Sequence, residues 1–266
     1  MSQTIDLSQL FVSAVDGGTL SMDAAQALSV VDIGTQIQAG LGVSVDDVTT
    51  SEVTLVSQLI DDSGSIRFAG NAGAVRNGHN TVIEALKDCK QANGILAHCR
   101  YLNDTVLYPY RLINQVPLMT NANYDPMGGT PLYDQTAVIL GTVVAKAQEF
   151  EDNNVPVRAV TLIVTDGDDQ GSYQHTPRTI RPLVEQLLKT EMHIIAAMGI
   201  DDGDTDFRTV FWDMGIPAEW ILTPGNSDKE IRAAFHLVSQ SALRASQRAA
   251  ARMPRRAVGS QRVAGS

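Results

Sequence analysis

Three short segments carry the residues whose types and spacing suit chemistry. Asp61-Asp62-Ser63-Gly64-Ser65 places a carboxylate and two hydroxyls at alternate positions. Gly128-Gly129-Thr130-Pro131-Leu132 adds a third hydroxyl, and Asp166-Gly167 a second carboxylate. Alternate positions in a tight turn point Asp61, Ser63 and Ser65 toward one centre, and the glycines before Thr130 let the backbone come close. The set is all-oxygen, without His or Cys, which suits Mg2+ or Mn2+ and disfavours Zn2+. Two carboxylates and three neutral hydroxyls leave such a cation poorly neutralised, so it is expected to draw another anionic oxygen from outside. The competing account is a plain turn that caps the following helix.

Hydrophobic periodicity predicts the elements that position these segments. Strands are expected at Val53–Ile60, Ile95–Tyr101, Thr105–Leu107, Val157–Thr165, His193–Ile200 and Trp220–Thr223. The helices expected between them carry Val75, His79, Val82, Ile83 and Leu86, then Leu132–Phe150, then Ile180, Leu183, Val184, Leu187 and Leu188. An earlier helix runs from Ser21 to about Ala39, with Ala24, Leu28 and Val31 on one face, and ends at Gly40 and Gly42. Ser227-Asp228-Lys229-Glu230 is a capping box opening a final helix, expected to fray beyond about Ala242. No regular element is assigned between Tyr108 and Met127. Strands alternating with helices imply right-handed crossovers and a parallel sheet covered on both faces. Ligands of such sheets bind at the carboxyl ends of the strands, where the strand order reverses, and all three segments fall there.

Together, in this order and context, the three segments resemble the metal-ion-dependent adhesion site of von Willebrand factor A (vWA) domains. The resemblance covers about residues 51–245. It implies a doubly wound, mostly parallel six-stranded sheet of Rossmann-like type, with one short antiparallel edge strand. It also implies Mg2+ held octahedrally by the serines and threonine, with the aspartates binding directly or through water, and a partner's Asp or Glu completing the sphere. The spellings most resemble bacterial intracellular members, such as the tellurite-resistance-associated and ATPase-associated ones. Asp62 is not a ligand in that pattern and is expected to be a solvated carboxylate. Residues 1–50 form an N-terminal helical extension outside the pattern, and 246–266 an Arg-rich tail expected to be disordered.

The chain has 266 residues, 44% of them hydrophobic, and a formal net charge of −10. A core of ordinary size is expected, and no run approaches the ~20 apolar residues of a membrane helix. Two cysteines, Cys89 and Cys99, make no disulfide framework, and Met1–Asp6 shows no secretory pattern, so a reduced cytoplasmic protein is expected. No acidic residue follows Glu230, whereas seven arginines do. Without interleaved aromatics this tail argues against specific nucleic-acid recognition. Asp168, Asp169, Asp201, Asp202, Asp204 and Asp206 gather at the same sheet edge. Asp202-x-Asp204-x-Asp206 resembles the start of a calcium loop, but Phe207 stands where that loop needs glycine, so helix capping and solvation are expected. The acidic rim favours a partner that offers one carboxylate amid basic residues. Tyr108, Tyr110, Tyr124 and Tyr133 flank the threonine segment as packing residues or contact anchors.

These features lead to a protein-binding module rather than an enzyme. Hydrolysis by a metal-activated water is the less favoured class, because no His or Glu is placed as general base. Self-assembly, in which an acid of one copy completes the metal of the next, is a third class.

Overall fold

The computed structural model describes residues 6–29 and 32–251. Six strands form one sheet: β1 (Val53–Ile60), β2 (Ile95–Tyr101), β3 (Val106–Leu112), β4 (Val157–Thr165), β5 (His193–Gly199) and β6 (Ile221–Leu222). Their order is β3-β2-β1-β4-β5-β6, and only β3 runs antiparallel to its neighbour. Chain connections leave β1 toward β2 on one side and β4 toward β5 on the other, so the order reverses between β1 and β4.

Helices cover both faces. Among them, α1 (Leu7–Asp16), α2 (Met22–Leu28) and α3 (Ile33–Gly40) precede the sheet, and α4 (Gly64–Phe68) and α5 (Ala72–Lys87) follow β1. Later come α6 (Leu132–Glu151), α7 (Pro177–Lys189), α8 (Phe207–Asp213) and α9 (Asp228–Ala251). One face of the sheet is packed by α5 and α9, through Val82, Ile83, Ile231 and Phe235. Gly78 permits this approach, since a Cβ there would lie 2.1 Å from the Phe235 ring.

The opposite face is packed by α6 and α7, and here a further layer lies outside. Leu10, Phe11, Leu28, Ile33 and Ile37 from α1–α3 share one core with Leu140 and Val144 of α6 and Leu183 of α7. Consequently α6 is buried on nearly every side, as its apolar circumference demands. Polar ties fix the layer. The Arg100 guanidinium donates to the Gln36 carbonyl at 3.2 Å, and Lys146 Nζ donates to the Val43 carbonyl at 2.6 Å. Gly42 adopts a φ of +60° against the Tyr110 backbone, where a Cβ would come within 2.1 Å of the Tyr110 oxygen.

Three expectations are corrected. The single helix expected from Ser21 to about Ala39 is two, α2 capped by Ser21 and α3 beginning after Asp32 at φ 80°, and a further helix, α1, capped by Asp6, precedes them. Val31 lies outside the described residues. The segment 108–112, expected to be irregular, belongs to β3, and its Pro109 is accommodated because β3 is an edge strand. The last helix does not fray at Ala242: it continues to Ala251 with Ala242, Ala245 and Ser246 buried, so 246–251 of the expected disordered tail is helical. Residues 252–266 of that tail lie outside the described residues. Among the described residues no helix is long and apolar enough to cross a membrane.

Candidate metal centre

The register of β1 against β4 brings the candidate ligands together. Ile60 pairs with Val164, so Asp61 and Thr165-Asp166 leave the sheet side by side, and the Asp61 amide donates to the Val164 carbonyl at 3.0 Å. Asp61 Oδ1 accepts the Ser63 amide at 2.7 Å, and Oδ2 accepts the Thr165 hydroxyl at 2.6 Å and the Asp166 amide at 3.3 Å. Asp61, wholly buried, thus folds the turn and joins the two strand ends. In front of it, Ser63 Oγ and Ser65 Oγ stand 2.8 Å apart, and Ser65 Oγ donates to Asp166 Oδ1 at 2.6 Å.

The threonine loop is pinned from both sides. The Gly128 amide donates to the Asp62 carbonyl at 2.8 Å, and the Gly64 amide donates to the Gly128 carbonyl at 3.2 Å. A Cβ on Gly128 would lie 2.9 Å from Asn103 Cβ, which is why this position is glycine. Thr130 and Gln170 exchange backbone hydrogen bonds at 3.2 and 2.7 Å, tying Thr130 to the loop that carries Asp166. Asp61, Ser63, Ser65 and Asp166 therefore form one hydrogen-bonded cluster, and Thr130 is held beside it through its backbone.

Thr165, absent from the expected ligand set, and Tyr124, expected only as a packing residue or contact anchor, complete the support. Thr165 bonds the Asp61 carboxylate, and its place directly before Asp166 at a strand end was the available signal. The Tyr124 hydroxyl donates to the Asp61 carbonyl at 2.7 Å. Tyr124 is buried, as are Tyr108 and Tyr110, so of the four tyrosines only the half-buried Tyr133 keeps access to solvent. Asp62 is also corrected. It is 3% exposed, not solvated, and its Oδ1 accepts the Asn103 amide at 3.0 Å, which anchors the β2–β3 turn. Asp202 accepts from Asp204, Thr205 and the Thr205 hydroxyl, and Asp206 caps α8, so these acids serve local turns.

Burial of this carboxylate cluster has an electrostatic cost. Desolvation raises the Asp61 carboxyl above the usual range despite its hydrogen bonds. Burial likewise pushes Asp166 up to about 6, with the Ser65 hydroxyl opposing and the charges of Asp61 and Asp202 reinforcing the shift. Asp62 rises to about 6 for the same leading reason. A divalent cation would relieve this strain, and the donor spacing fits one. Octahedral ligands at about 2.1 Å place adjacent oxygens about 2.9 Å apart, close to the Ser63–Ser65 separation. Ca2+, at about 2.4 Å, needs wider spacing. Among the described residues no three His, Cys, Asp or Glu side chains are placed to hold a metal ion together, so hydroxyls must supply much of any cation's shell here.

Asp62 and Asp166 have folded values of about 6 against an ordinary 3.8, so the stability they favour is present below about 3.8 and lost as pH rises through 6. Cation binding returns it only where the carboxyls are ionised. The Mg2+-induced rise in melting temperature is expected to be large at about pH 7.5 and small at about pH 5. Scanning calorimetry with Mg2+ and with EDTA measures it, and an equal rise at both pH values contradicts the assignment.

The sheet order, the antiparallel edge strand and the two helical layers make this a vWA-type, Rossmann-like doubly wound fold. No protein-family model matches the chain, and no curated protein matches it. Solved structures do. The pilus adhesin SpaC from Lactobacillus rhamnosus GG, in its open conformation, superposes with a TM-score of 0.53 at 14% identity, over 74% of this chain and 30% of the adhesin. A von Willebrand factor type A structure from Catenulispora acidiphila gives 0.46 at 15% identity, over 72% of this chain and 43% of that one. Proximal thread matrix protein 1 from the mussel byssus gives 0.45 at 16%, over 74% and 48%. The chain spans less than half the length of each, and at these identities the likeness is one of fold.

Proposed function

We propose that this chain is a divalent-cation-dependent protein-binding module whose ion is completed by a partner's Asp or Glu. The observation that carries the reading is the front of the cluster: two serine hydroxyls and a carboxylate at octahedral spacing, with Ser65 open to solvent. Ser63, Ser65, Thr130 and Asp166 would hold Mg2+ or Mn2+. Asp61, both of whose oxygens already accept protein donors, would balance charge from behind. The ion supplies a Lewis-acidic position for an incoming carboxylate.

Binding is favoured over hydrolysis because, among the described residues, no histidine is hydrogen-bonded into the cluster. The His79, His98 and His193 rings are buried, and desolvation holds all three well below the usual range and therefore neutral. His175 is engaged elsewhere, between Asp134 and the Ala27 carbonyl. The proposed setting is a cytoplasmic, bacterial-type multiprotein system, in keeping with the resemblance in the three loops.

Affinity capture tests the reading. The full chain is immobilised, native lysate is passed over it in Mg2+, and EDTA elutes. Proteins are expected to elute from the parent column and not from a Thr130→Ala column. Identical eluates from the two columns contradict a metal-bridged contact.

A further inference from the structure

The turn between β2 and β3 touches two of the loops that build the metal centre. The Asn103 amide donates to Asp62 Oδ1 at 3.0 Å, and the Asp62 carbonyl accepts the Gly128 amide at 2.8 Å. Asn103 Cβ also lies 2.9 Å from where a Cβ on Gly128 would stand. Gly128 is bridged to Ser63, receives the Gly64 amide, and precedes Thr130 by two residues. The place of Asn103 therefore bears on the serine turn and the threonine loop together, although Asn103 belongs to neither.

A buried charge fixes this turn. Asp104 adopts a φ of 80°, a backbone that costs an aspartate more than a glycine and persists only where its surroundings impose it. Arg100 Nη2 donates to Asp104 Oδ1 at 3.0 Å and to the Asp104 carbonyl at 3.4 Å. The Arg100 side chain has no exposed surface, whereas that of Asp104 is 55% exposed, so the holding group comes from inside the fold. Burial pulls the Arg100 value down to about 10, and Asp104 is the chief group opposing that shift. The other bonds of the guanidinium go to Gln36 of α3, at 3.2 Å to its carbonyl and 3.4 Å to Oε1. Gln135, near the start of α6, donates to the same Oε1 at 2.9 Å. A planar guanidinium held at several of its donors is a rigid support. One hydrogen-bonded series thus runs from α3 through Arg100, Asp104 and Asn103 to Asp62 and Gly128.

We propose that Arg100 is a positioning residue for the metal centre: by holding Asp104 it sets the β2–β3 turn, and through Asn103 the turn sets Asp62 and Gly128. Cation affinity then depends on a residue remote from the ligand loops, and on the outer helical layer whose Gln36 anchors the guanidinium. The proposal rests on the metal-centre reading above and adds the group that orders its loops. Supporting groups of metal sites typically cost about tenfold to a hundredfold in affinity when altered.

Calorimetric titration with Mg2+, and amide hydrogen exchange in EDTA, test it on the full chain. Asp104→Gly removes the carboxylate while glycine accepts the left-handed backbone, and Asp104→Asn keeps both an acceptor for Arg100 and tolerance of that backbone. Asp104→Gly is expected to weaken Mg2+ binding about tenfold, and in EDTA its Asn103 and Gly128 amides are expected to exchange about tenfold faster than the parent's. Asp104→Asn is expected to restore both. Arg100→Met is expected to give the same loss of affinity with Asp104 in place. Because that variant alters a buried position, the exposed Asp104 position supplies the variants that keep the fold. Parent affinity in Asp104→Gly or in Arg100→Met overturns the proposal. So does a lower melting temperature of Asp104→Gly with parent affinity, which assigns the pair to stability alone. In either case a parent chain that binds Mg2+ leaves the metal-centre reading standing, whereas a parent chain that binds neither Mg2+ nor Mn2+ overturns both.

Discussion

Replacing Glu149 with alanine is expected to lower the free energy of unfolding by about 3–5 kcal/mol, the usual cost of stripping a buried charge of its partner. The Lys146 side chain has no exposed surface, and its ammonium lies 2.6 Å from Glu149 Oε2. The other oxygen of Glu149 accepts the Val45 amide at 3.0 Å. Burial already lowers the Lys146 value, and Glu149 is the chief group opposing that shift. Without Glu149 the ammonium keeps its hydrogen bond to the Val43 carbonyl, its place over the Phe150 ring and the more distant charge of Asp47, and the Val45 amide loses its acceptor. Val43 and Val45 belong to the segment joining α3 to β1, so the loss falls on the attachment of the outer helical layer. Urea unfolding of Glu149→Ala measures it. A Lys146→Met, Glu149→Leu double variant is expected to recover most of the loss, because apolar residues fill the site without a charge to desolvate. A change below about 1 kcal/mol in the single variant shows that the ion pair does not anchor that layer.

The second large effect has opposite signs in two assays. Asp166→Asn is expected to weaken Mg2+ or Mn2+ binding by about a hundredfold or more, since even supporting groups of metal sites cost tenfold to a hundredfold when altered. The same substitution is expected to stabilise the metal-free fold by about 1–2 kcal/mol at neutral pH. The carboxyl of Asp166 titrates near 6 because burial disfavours its ionised form. An amide removes that unfavourable charge and still accepts the Ser65 hydroxyl. Calorimetric titration and thermal melts in EDTA read the two effects. Retained metal affinity removes Asp166 from the shell, and a destabilised metal-free variant shows that its charge is not a strain on the fold.

Much of the fold was legible because its elements are periodic. β4 reads as a β-branched run because it is buried on both faces, and α6 reads as a long helix from its spacing. What that spacing also contained, apolar residues around the whole circumference, announced a covering layer that α1–α3 supply. Those helices were hard to divide because α2 and α3 are short and the break falls at a left-handed Asp32, a conformation that sequence periodicity does not register. β3 was curtailed by Pro109, which only an edge strand tolerates. At the site, residue types and spacing led to Asp61, Ser63, Ser65, Thr130 and Asp166, and the structure brings these five to one sheet edge. The roles within it were less legible. Asp62 looks like a solvated acid until Asn103, distant in sequence, is seen to donate to it, and Asp61 is absorbed in joining two strand ends. Such assignments depend on long-range hydrogen bonds that no local pattern contains.

The most direct test of the central claim is anomalous scattering from crystals of the full chain grown with Mn2+. One ion per chain is predicted, within bonding distance of Ser63 Oγ, Ser65 Oγ and either Thr130 or Asp166, and absent from crystals of Ser65→Ala. Finding no ion at that position, or finding it only among Asp202, Asp204 and Asp206, would contradict the account.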